Sequence, residues 1–308
     1  MWENNQKTLK KQINFNGIGL HSGVKVNLNL LPAQPNTGII FKRIDLKKNN
    51  EIIANYKNVS SAKLCTKIEN NFKVSVSTVE HLMAAFYMCG IDNLIVNIDG
   101  PEVPIMDGSA KDFYEKIKLC GVKNLDKKRK YIKVLKKIEI KIEKKTISIE
   151  PENNDLIVKF KLDYENPLIK QQSNKINFSE KNLENIYGAR TFCLYEDIEK
   201  VKALGLGKGG SLENAVVVQG NKILNTDGLR SPKEFVNHKI LDLAGDFMLA
   251  GYRFIGSVQC IHGGHSLTNQ FLRKFLSDSS NFTIVEDLRS ITNIKKATSE
   301  QKRIAVNA

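Results

Sequence analysis

Two kinds of hydrophobic pattern alternate along the chain. Apolar residues at every second position, as in Val24, Val26 and Leu28, are typical of half-buried strands, and the same alternation recurs between residues 138 and 162. Apolar residues at helical spacing fall between these strands. We predict strands at 24–30, 39–41, 94–98, 138–149, 156–162, 215–219, 254–261 and 282–285, and helices at 77–89, 110–120, 179–186, 195–204, 231–251 and from 266 onwards. Each half of the chain therefore interleaves strands with about two helices, which indicates an α+β fold with two similar-sized domains.

The helix predicted from Ser231 to Gly251 differs from the others. Ser231 is a suitable N-cap, and Glu234 stands three residues later, at the capping-box position. Apolar residues occupy nearly the whole circumference of this helix, so we expect it to be largely buried. Ser109 is predicted to cap the helix at 110–120 in the same way.

A polar stripe runs along this apolar helix. His238, Asp242 and Asp246 follow one another at four-residue spacing, and Lys239 lies beside them. Burial of an imidazole and two carboxylates is costly unless a cation or a hydrogen-bond network compensates them. Two ligand-type residues one helical turn apart can bind a single metal ion. Taken alone, a pair such as His238 and Asp242 more often lies on a solvated face or belongs to a salt bridge. Residues elsewhere in the chain must therefore decide whether the pair binds a metal ion.

Other residues suited to metal binding or acid–base chemistry are scattered along the chain. His81 follows Glu80 near the start of the helix at 77–89, and His265 lies in the glycine turn HGGHS. Glu80 has a simpler interpretation, because it stands three residues after Ser77 and can complete a capping box. Two further histidines in tight turns are interpreted as turn residues rather than ligands: His21 and His262.

Length and charge bound the possible partners. The chain has 308 residues and a formal net charge of +14, carried mainly by lysines that are spread along it. Such a charge permits nucleic acid, a phosphorylated substrate or a membrane surface as partner, and it also fits a compositional bias without function. The length predicts two domains, and we place their boundary in the charged segment 124–130, giving domains of residues 1–126 and 127–308.

Cysteine usage and the absence of targeting signals indicate the compartment. The chain has five cysteines without C-x-x-C spacing, which we interpret as reduced thiols rather than a disulfide framework. The N-terminus lacks an apolar signal core, and no apolar run approaches the roughly 20 residues of a membrane span. We expect a soluble, cytoplasmic protein without a transmembrane segment, and a charged tail that frays after Val285.

The glycine-rich stretch GLGKGGS lacks the residue order of a P-loop, so no phosphate-binding motif supports a phosphoryl-transfer function. A catalytic zinc ion takes three nitrogen or oxygen ligands from the protein and keeps its fourth position for water or substrate. His81, His238 and Asp242 would supply such a set, with a nearby carboxylate and histidine available as base and acid.

At this point a family resemblance becomes visible. The chain resembles the zinc-dependent UDP-3-O-acyl-N-acetylglucosamine deacetylases of lipid A biosynthesis, from about residue 5 to residue 290. The motifs that carry the resemblance occur in the expected order: GIGLHSG, STVEHLMAA, PIMDGSA, RTFC, GGSLENAVVV, HKILDLAGD and HGGHSLTNQF. The resemblance implies hydrolysis of the substrate's N-acetyl group to give UDP-3-O-acyl-glucosamine and acetate, the committed step of that pathway.

The resemblance also implies roles for single residues. His81, His238 and Asp242 are expected to bind one Zn²⁺ per chain, with Fe²⁺ as the alternative metal in the cell. Glu80 is expected to be the general base that deprotonates the zinc-bound water, and His265 the cationic general acid for the leaving amine. Two further residues complete the expected catalytic set: Asp246, which orients His265, and Thr191, which donates a hydrogen bond to the tetrahedral oxyanion.

The substrate-binding residues and the fold follow from the same resemblance. Each domain is expected to be a β-sheet with two packed helices, the helical layers facing each other around the active site, with one insert per domain. The inserts match roughly residues 56–73 and 193–218, and the second is expected to form the hydrophobic passage for the acyl chain. The residues expected to contact substrate are Phe192, Lys239 (near the sugar-diphosphate), Leu64, Cys65, Thr66, Leu194, Ile198, Leu204, Gly210, Ser211 and Val217.

Two other functions compete with this hypothesis. A different metal-dependent amidohydrolase acting on another N-acyl amino sugar would not need an apolar passage. A basic nucleic-acid-binding protein would show a recognisable module or exposed aromatics within a basic stripe, and the sequence shows neither. We therefore expect a UDP-linked acylated amino sugar as substrate, no nucleic-acid partner, at most weak association with a membrane surface, and a monomer.

Overall fold

A computed structural model of the chain describes residues 5–180 and 182–286. The charged tail predicted after Val285 lies, from residue 287 onwards, outside the described residues. In chain order the strands are β1 (Asn5–Leu9), β2 (Ile13–Ile18), β3 (Lys25–Pro32), β4 (Ile39–Arg43), β5 (Glu51–Ile53), β6 (Val59–Ser61), β7 (Lys67–Glu69), β8 (Ser75–Val76), β9 (Leu94–Ile98), β10 (Val122–Lys128), β11 (Tyr131–Val134), β12 (Ile138–Ile142), β13 (Lys145–Glu150), β14 (Leu156–Asp163), β15 (Gln171–Asn177), β16 (Phe192–Leu194), β17 (Val216–Gln219), β18 (Lys222–Ile223), β19 (Arg253–Ile261) and β20 (Phe282–Val285).

Among the described residues, the helices are fewer than the strands and most of them are longer. They are α1 (Glu80–Cys89), α2 (Lys111–Cys120), α3 (Glu184–Tyr187), α4 (Tyr195–Ala203), α5 (Glu234–Met248) and α6 (His265–Leu276), with 3-10 turns at Tyr56–Asn58 and Ser279–Asn281. The predicted α+β class is therefore confirmed. Among the described residues, no helix has the length and apolar character needed to cross a membrane.

Two larger sheets form the framework. The first has five strands in the order β2-β3-β9-β4-β5, antiparallel except for the β4–β9 pair. The second has seven strands: β12-β13-β19-β11-β20 form its path, while β14 pairs with β19 and β15 pairs with β14. Two small three-stranded sheets, β6-β7-β8 and β16-β17-β18, fall within or next to the segments expected to be inserts.

The alternation of apolar residues explains why these strands pack as they do. In β14, Leu156, Val158, Phe160 and Leu162 are buried while the residues between them are more exposed. The helices α5 and α6 contact this sheet, and α5 also packs along α1. Because both α1 and α5 are covered by neighbours, nearly all of their residues are buried, as the nearly all-apolar circumference of α5 predicts.

The predicted cap of the long helix is wrong. The helix α5 begins at Glu234 with Lys233 in the cap position and no side-chain cap, so Ser231 does not cap it. The carboxylate of Glu234 instead accepts hydrogen bonds from the guanidinium of Arg190 and from the backbone N–H of Arg230. This buried ion pair uses the side chain that a capping box would need.

Other helix starts also differ from prediction. The helix α1 has Val79 in its cap position without a side-chain cap, so the capping-box interpretation of Glu80 is wrong. The helix expected at 179–186 is reduced to α3, a single turn that begins after the side chain of Asn182 accepts the N–H of Glu184. In α2 the cap position is Ala110, without a side-chain cap, so the predicted cap at Ser109 is one residue off, although the hydroxyl of Ser109 accepts the N–H of Lys111.

The segment in which the domain boundary was placed is itself a strand. Residues 122–128 form β10, which pairs antiparallel with β1 and so ties the chain start to the middle of the chain. Arg129 then donates to both carboxylate oxygens of Asp92, within a nearly buried ion pair. The division of the chain at residue 126 stays a prediction.

Candidate active site

Three ligand-type side chains from two helices converge. His81 lies in the first turn of α1, while His238 and Asp242 lie one turn apart on α5. The Nε2 atoms of His81 and His238 are 3.5 Å and 3.3 Å from Asp242 Oδ1, and the three ligand atoms all lie within 4.8 Å of one another. All three side chains are buried. The three residues predicted to share a metal ion are therefore brought together.

The donor atoms of this group suit a divalent cation. His238 Nδ1 lies 3.0 Å from the carbonyl oxygen of Ala189, which leaves its Nε2 lone pair facing the group when Nδ1 carries the proton. Burial lowers the pKa of His238 to about 3, so the ring is neutral, as a ligand must be. Among the described residues, Asp242 Oδ1 is buried without a hydrogen-bond donor. A buried anionic oxygen beside two imidazole nitrogens is a site that a metal ion satisfies.

Lys239 balances part of the charge of this group. Its Nζ donates to Asp242 Oδ2 at 2.9 Å. Burial disfavours the charged carboxylate of Asp242, yet the imidazole of His238 and the ammonium of Lys239 hold its pKa well below its usual value. Asp242 therefore remains ionised. The ammonium of Lys239 also lies 5.5 Å from the centre of the Phe192 ring.

The close approach of α1 and α5 depends on a glycine. A Cβ atom at Gly245 would lie 2.0 Å from the carbonyl oxygen of Glu80, where no real Cβ contact is found. The absence of a side chain at Gly245 thus allows the backbone of α5 to contact the first residue of α1. This contact brings the His81 turn next to the His238 and Asp242 turns, and sequence reasoning passed over it.

A strained turn delivers the chain into α1. Thr78 has φ of 57°, a left-handed conformation that is unusual for a β-branched residue. Its hydroxyl donates to the buried carboxylate of Glu102 at 2.7 Å, and the backbone N–H groups of His21 and Ser22 donate to the same carboxylate. Glu102 therefore joins the strained turn before α1 to the turn after β2.

An acid–base group adjoins the metal-ligand group. His265, the first residue of α6, places Nδ1 2.8 Å from Asp246 Oδ2 and Nε2 3.6 Å from Glu80 Oε1. Burial opposes the charged form of His265, but the carboxylates of Asp246 and Glu80 outweigh it and raise the pKa to about 10. Burial raises the pKa of Glu80. A protonated imidazole and a carboxylate of raised basicity thus face each other.

Thr66 links the two carboxylates of this group. Its hydroxyl donates to Asp246 Oδ1 at 2.6 Å, and its backbone N–H donates to Glu80 Oε2 at 3.0 Å. The residue is 2% exposed. The resemblance implied that Thr66 contacts substrate, whereas its polar groups are occupied within the protein.

Thr191, the residue expected at the oxyanion, directly precedes β16. The backbone N–H of Thr191 donates to the carbonyl of Gly108 at 2.8 Å, and its carbonyl accepts from Val216, which fixes the strand next to β17. Phe192 follows at the start of β16, with its ring 6.3 Å from the ring of His238. Both residues line a cavity that also reaches His265.

This cavity has a volume of about 470 Å³, in the range of a small-molecule site. The predicted site residues that line it are Leu64, Thr191, Phe192, Leu194, Lys239 and His265. On α4 the lining side chains are Asp197 and Val201, neither of which sequence reasoning singled out. The remaining expected contacts lie outside the lining that the described residues form: Cys65, Thr66, Ile198, Leu204, Gly210, Ser211 and Val217.

The two turn histidines do not join the metal-ligand group of the described residues. His262 has a positive φ of 52°, and its backbone N–H donates to the carbonyl of Lys161. The backbone of His21 holds Glu102, as the interpretation as a turn residue predicts. The ring of His21 is buried, and neither ring nitrogen has a hydrogen-bond partner among the described residues.

Comparison with known proteins agrees with this geometry. The profile of the family described as UDP-3-O-acyl N-acetylglycosamine deacetylase matches residues 6–277. The chain is similar to the UDP-3-O-acyl-N-acetylglucosamine deacetylase of Geotalea uraniireducens (strain Rf4), at 45% identity over 91% of this chain and 91% of the relative. The proteins of the same name from Myxococcus xanthus (strain DK1622) and Actinobacillus succinogenes are 44% and 41% identical, over 91% and 93% of this chain and 89% and 95% of the relatives.

Proposed function

Because the chain belongs to the UDP-3-O-acyl N-acetylglycosamine deacetylase family, we propose that its buried His81, His238 and Asp242 hold a zinc ion beside an acid–base pair. The protein is an enzyme of lipid A biosynthesis that hydrolyses the N-acetyl group of UDP-3-O-acyl-N-acetylglucosamine. The products are UDP-3-O-acyl-glucosamine and acetate. The observation that carries the proposal is the convergence of the three ligand atoms within 4.8 Å, next to Glu80 and His265.

Two nitrogens and one oxygen are a suitable ligand set for catalytic zinc, which leaves one coordination position open. When bound, zinc acts as a Lewis acid that polarises the amide carbonyl and lowers the pKa of water toward about 7. His238 is held in a fixed orientation by Ala189, and Asp242 by Lys239, so the protein pre-orients two of the three ligands. Fe²⁺ accepts the same ligand types and is the alternative metal in the cell.

Glu80 and His265 divide the proton transfers. Glu80, whose pKa is raised by burial, accepts a proton from the attacking water. His265, whose pKa is raised to about 10, is protonated at neutral pH and donates its Nε2 proton to the leaving amine. Asp246 orients the ring of His265 through Nδ1, so that Nε2 points towards Glu80. Cleavage of the amide bond thus yields a neutral amine without a free hydroxide.

Thr191 and Phe192 are the proposed contacts on the substrate side. The hydroxyl of Thr191 is a donor for the oxygen that becomes negatively charged only in the tetrahedral state. Support for this role is its place in the cavity lining, together with Phe192, Lys239 and His265. Lys239, already engaged by Asp242, presents its remaining donors to the sugar-diphosphate.

The second insert is the proposed passage for the acyl chain. Leu194 and Val201, both within the segment 193–218, line the cavity together with Leu64 from the first insert. An apolar wall next to a polar centre suits a substrate that joins a fatty acyl chain to a sugar. The carboxylate of Asp197, which also lines the cavity, adds a polar group to this wall.

The decisive experiment combines metal analysis with two substrates. We expect one metal ion per chain and rapid deacetylation of UDP-3-O-acyl-N-acetylglucosamine, with far slower turnover of UDP-N-acetylglucosamine, which lacks the 3-O-acyl chain. Purification under anaerobic conditions distinguishes zinc from ferrous iron, and gel filtration tests the proposed monomer. Equal turnover of the two substrates would instead favour a different amino-sugar amidohydrolase.

A further inference from the structure

Four residues of the acid–base group form a closed ring of contacts. The N–H of Thr66 donates to Glu80 Oε2 at 3.0 Å, and its hydroxyl donates to Asp246 Oδ1 at 2.6 Å. The second oxygen of Asp246 lies 2.8 Å from His265 Nδ1, and the second oxygen of Glu80 lies 3.6 Å from His265 Nε2. Each carboxylate therefore has one oxygen held by Thr66 and the other facing the same imidazole.

The main chain of Thr66 is also anchored. Its carbonyl accepts the N–H of Val79, the cap residue of α1, at 3.3 Å. The whole residue is 2% exposed, so both its backbone and its hydroxyl act within the protein. The hydroxyl bond to Asp246 lies at the short end of the range for O–H···O hydrogen bonds.

We propose that Thr66 is a positioning residue. Its hydroxyl fixes Asp246, which orients the acid His265, and its N–H fixes the base Glu80. Thr66 thereby sets the distance between the base and the acid. This inference rests on the proposed function of Glu80 and His265. A carboxylate held at one oxygen cannot rotate about its terminal bond, so its other oxygen keeps a fixed direction. The ring of His265 then keeps its Nε2 directed at Glu80 and the reacting amide.

This role differs in its kinetics from the substrate contact that the family resemblance implied for Thr66. Loss of a uniform substrate contact raises KM and leaves kcat unchanged, whereas misplacement of an acid lowers kcat with little effect on KM. Loss of a residue that orients a functional side chain by a hydrogen bond typically lowers activity by about 10–100-fold. The two interpretations therefore separate in one kinetic measurement.

The test compares Thr66→Val with Thr66→Ser in the metal-loaded enzyme. Valine keeps the shape and the backbone N–H of threonine but removes the hydroxyl, while serine keeps the hydroxyl. We expect Thr66→Val to lower kcat by about 10–100-fold with KM within about twofold, and Thr66→Ser to recover most of that loss. In an Asp246→Ala background, Thr66→Val should cost less than about twofold, because its partner is already gone.

Controls separate this effect from other losses. Thr8 in β1 is a buried threonine whose hydroxyl donates to the carbonyl of Asn93, and Thr8→Val should leave kcat unchanged. Metal content and thermal unfolding are measured for each variant, and Thr66→Ala replaces Thr66→Val if the latter does not fold. The proposal is overturned if Thr66→Val keeps kcat, raises only KM, loses its metal, or is no slower than Thr66→Ser. Failure of the proposed function looks different, because the unmodified enzyme would then not deacetylate the acylated substrate at all.

Discussion

Replacement of Gly245 by alanine tests how closely the two helices that carry the proposed metal ligands must approach. The added Cβ would lie 2.0 Å from the carbonyl oxygen and 2.8 Å from the carbonyl carbon of Glu80, while real Cβ contacts are essentially never below 3.0 Å. The obstacle is backbone, which cannot rotate away. The helix α5 must therefore move away from the start of α1 by about 1 Å, and this shift separates His81 from His238 and Asp242.

The energetic consequences can be estimated from two opposing terms. Overpacking of a close contact costs about 1–3 kcal/mol, and the higher helix propensity of alanine over glycine offsets about 1 kcal/mol of that cost. The net loss in the free energy of unfolding is thus roughly 0–2 kcal/mol. Displacement of catalytic groups by about 1 Å can cost on the order of 10²-fold in rate. Activity should therefore fall far more than stability.

The assay measures kcat/KM, metal content and thermal unfolding of Gly245→Ala. We expect a folded protein with about 10²-fold lower kcat/KM and weakened metal retention. Gly38→Ala is the matched control, because Gly38 has φ of 70° with no atom near its missing Cβ, so alanine costs stability there without moving the site. A Gly245→Ala enzyme with unchanged kcat/KM and full metal content would refute the reasoning.

Three further predictions concern the chemistry of the site. Thr191→Val should lower kcat by on the order of 10²–10³-fold while metal content stays normal, and an unchanged kcat would remove Thr191 from the mechanism. Asp246→Asn should move the basic limb of the pH–rate profile to lower pH, because Asp246 raises the pKa of His265 to about 10; a limb that stays in place would contradict this assignment. The same raised pKa stabilises the fold below the unfolded-state pKa of about 6.5, and this contribution is lost as pH rises towards 10, so Asp246→Asn should flatten the dependence of melting temperature on pH in that interval. Removal of the metal by a chelator should abolish activity and lower the melting temperature, both restored by added Zn²⁺, and an unaffected melting temperature would show that the ion contributes nothing to stability.

The secondary structure could be predicted from the sequence where buried residues recur at a regular spacing. The alternation in β14 reflects burial of one face, and the nearly all-apolar circumference of α5 reflects cover on several sides, so each pattern indicates its element. The first residues of helices were harder to predict, because a side chain that could cap a helix can instead bind a residue far away in the sequence. Glu234 pairs with Arg190, and the backbone of Thr66 takes the carboxylate of Glu80. Neither partner is close in sequence.

In the candidate site, too, local features were predictable and features that arise from distant contacts were not. The spacing of His238 and Asp242 on one helix marks a possible ligand pair from local geometry alone. The addition of His81 followed from the three-ligand requirement of catalytic zinc, and the specific roles of single residues followed from the family resemblance. The close approach at Gly245 arises from contacts between segments far apart in the chain, so no local pattern indicates it. Asp197 was missed for a related reason, since which side of α4 faces the cavity depends on how that helix docks.

The division of the proposed metal ligands between α1 and α5 has a consequence for biosynthesis. About half of the chain separates His81 from His238, so a ribosome adding about 5–20 residues per second needs on the order of ten seconds to synthesise the intervening segment. During that time the nascent first half carries only one of the three proposed ligands, His81, so the proposed site is incomplete. The proposed site can therefore bind its metal only after the chain has emerged as far as Asp242 and α5 has packed along α1.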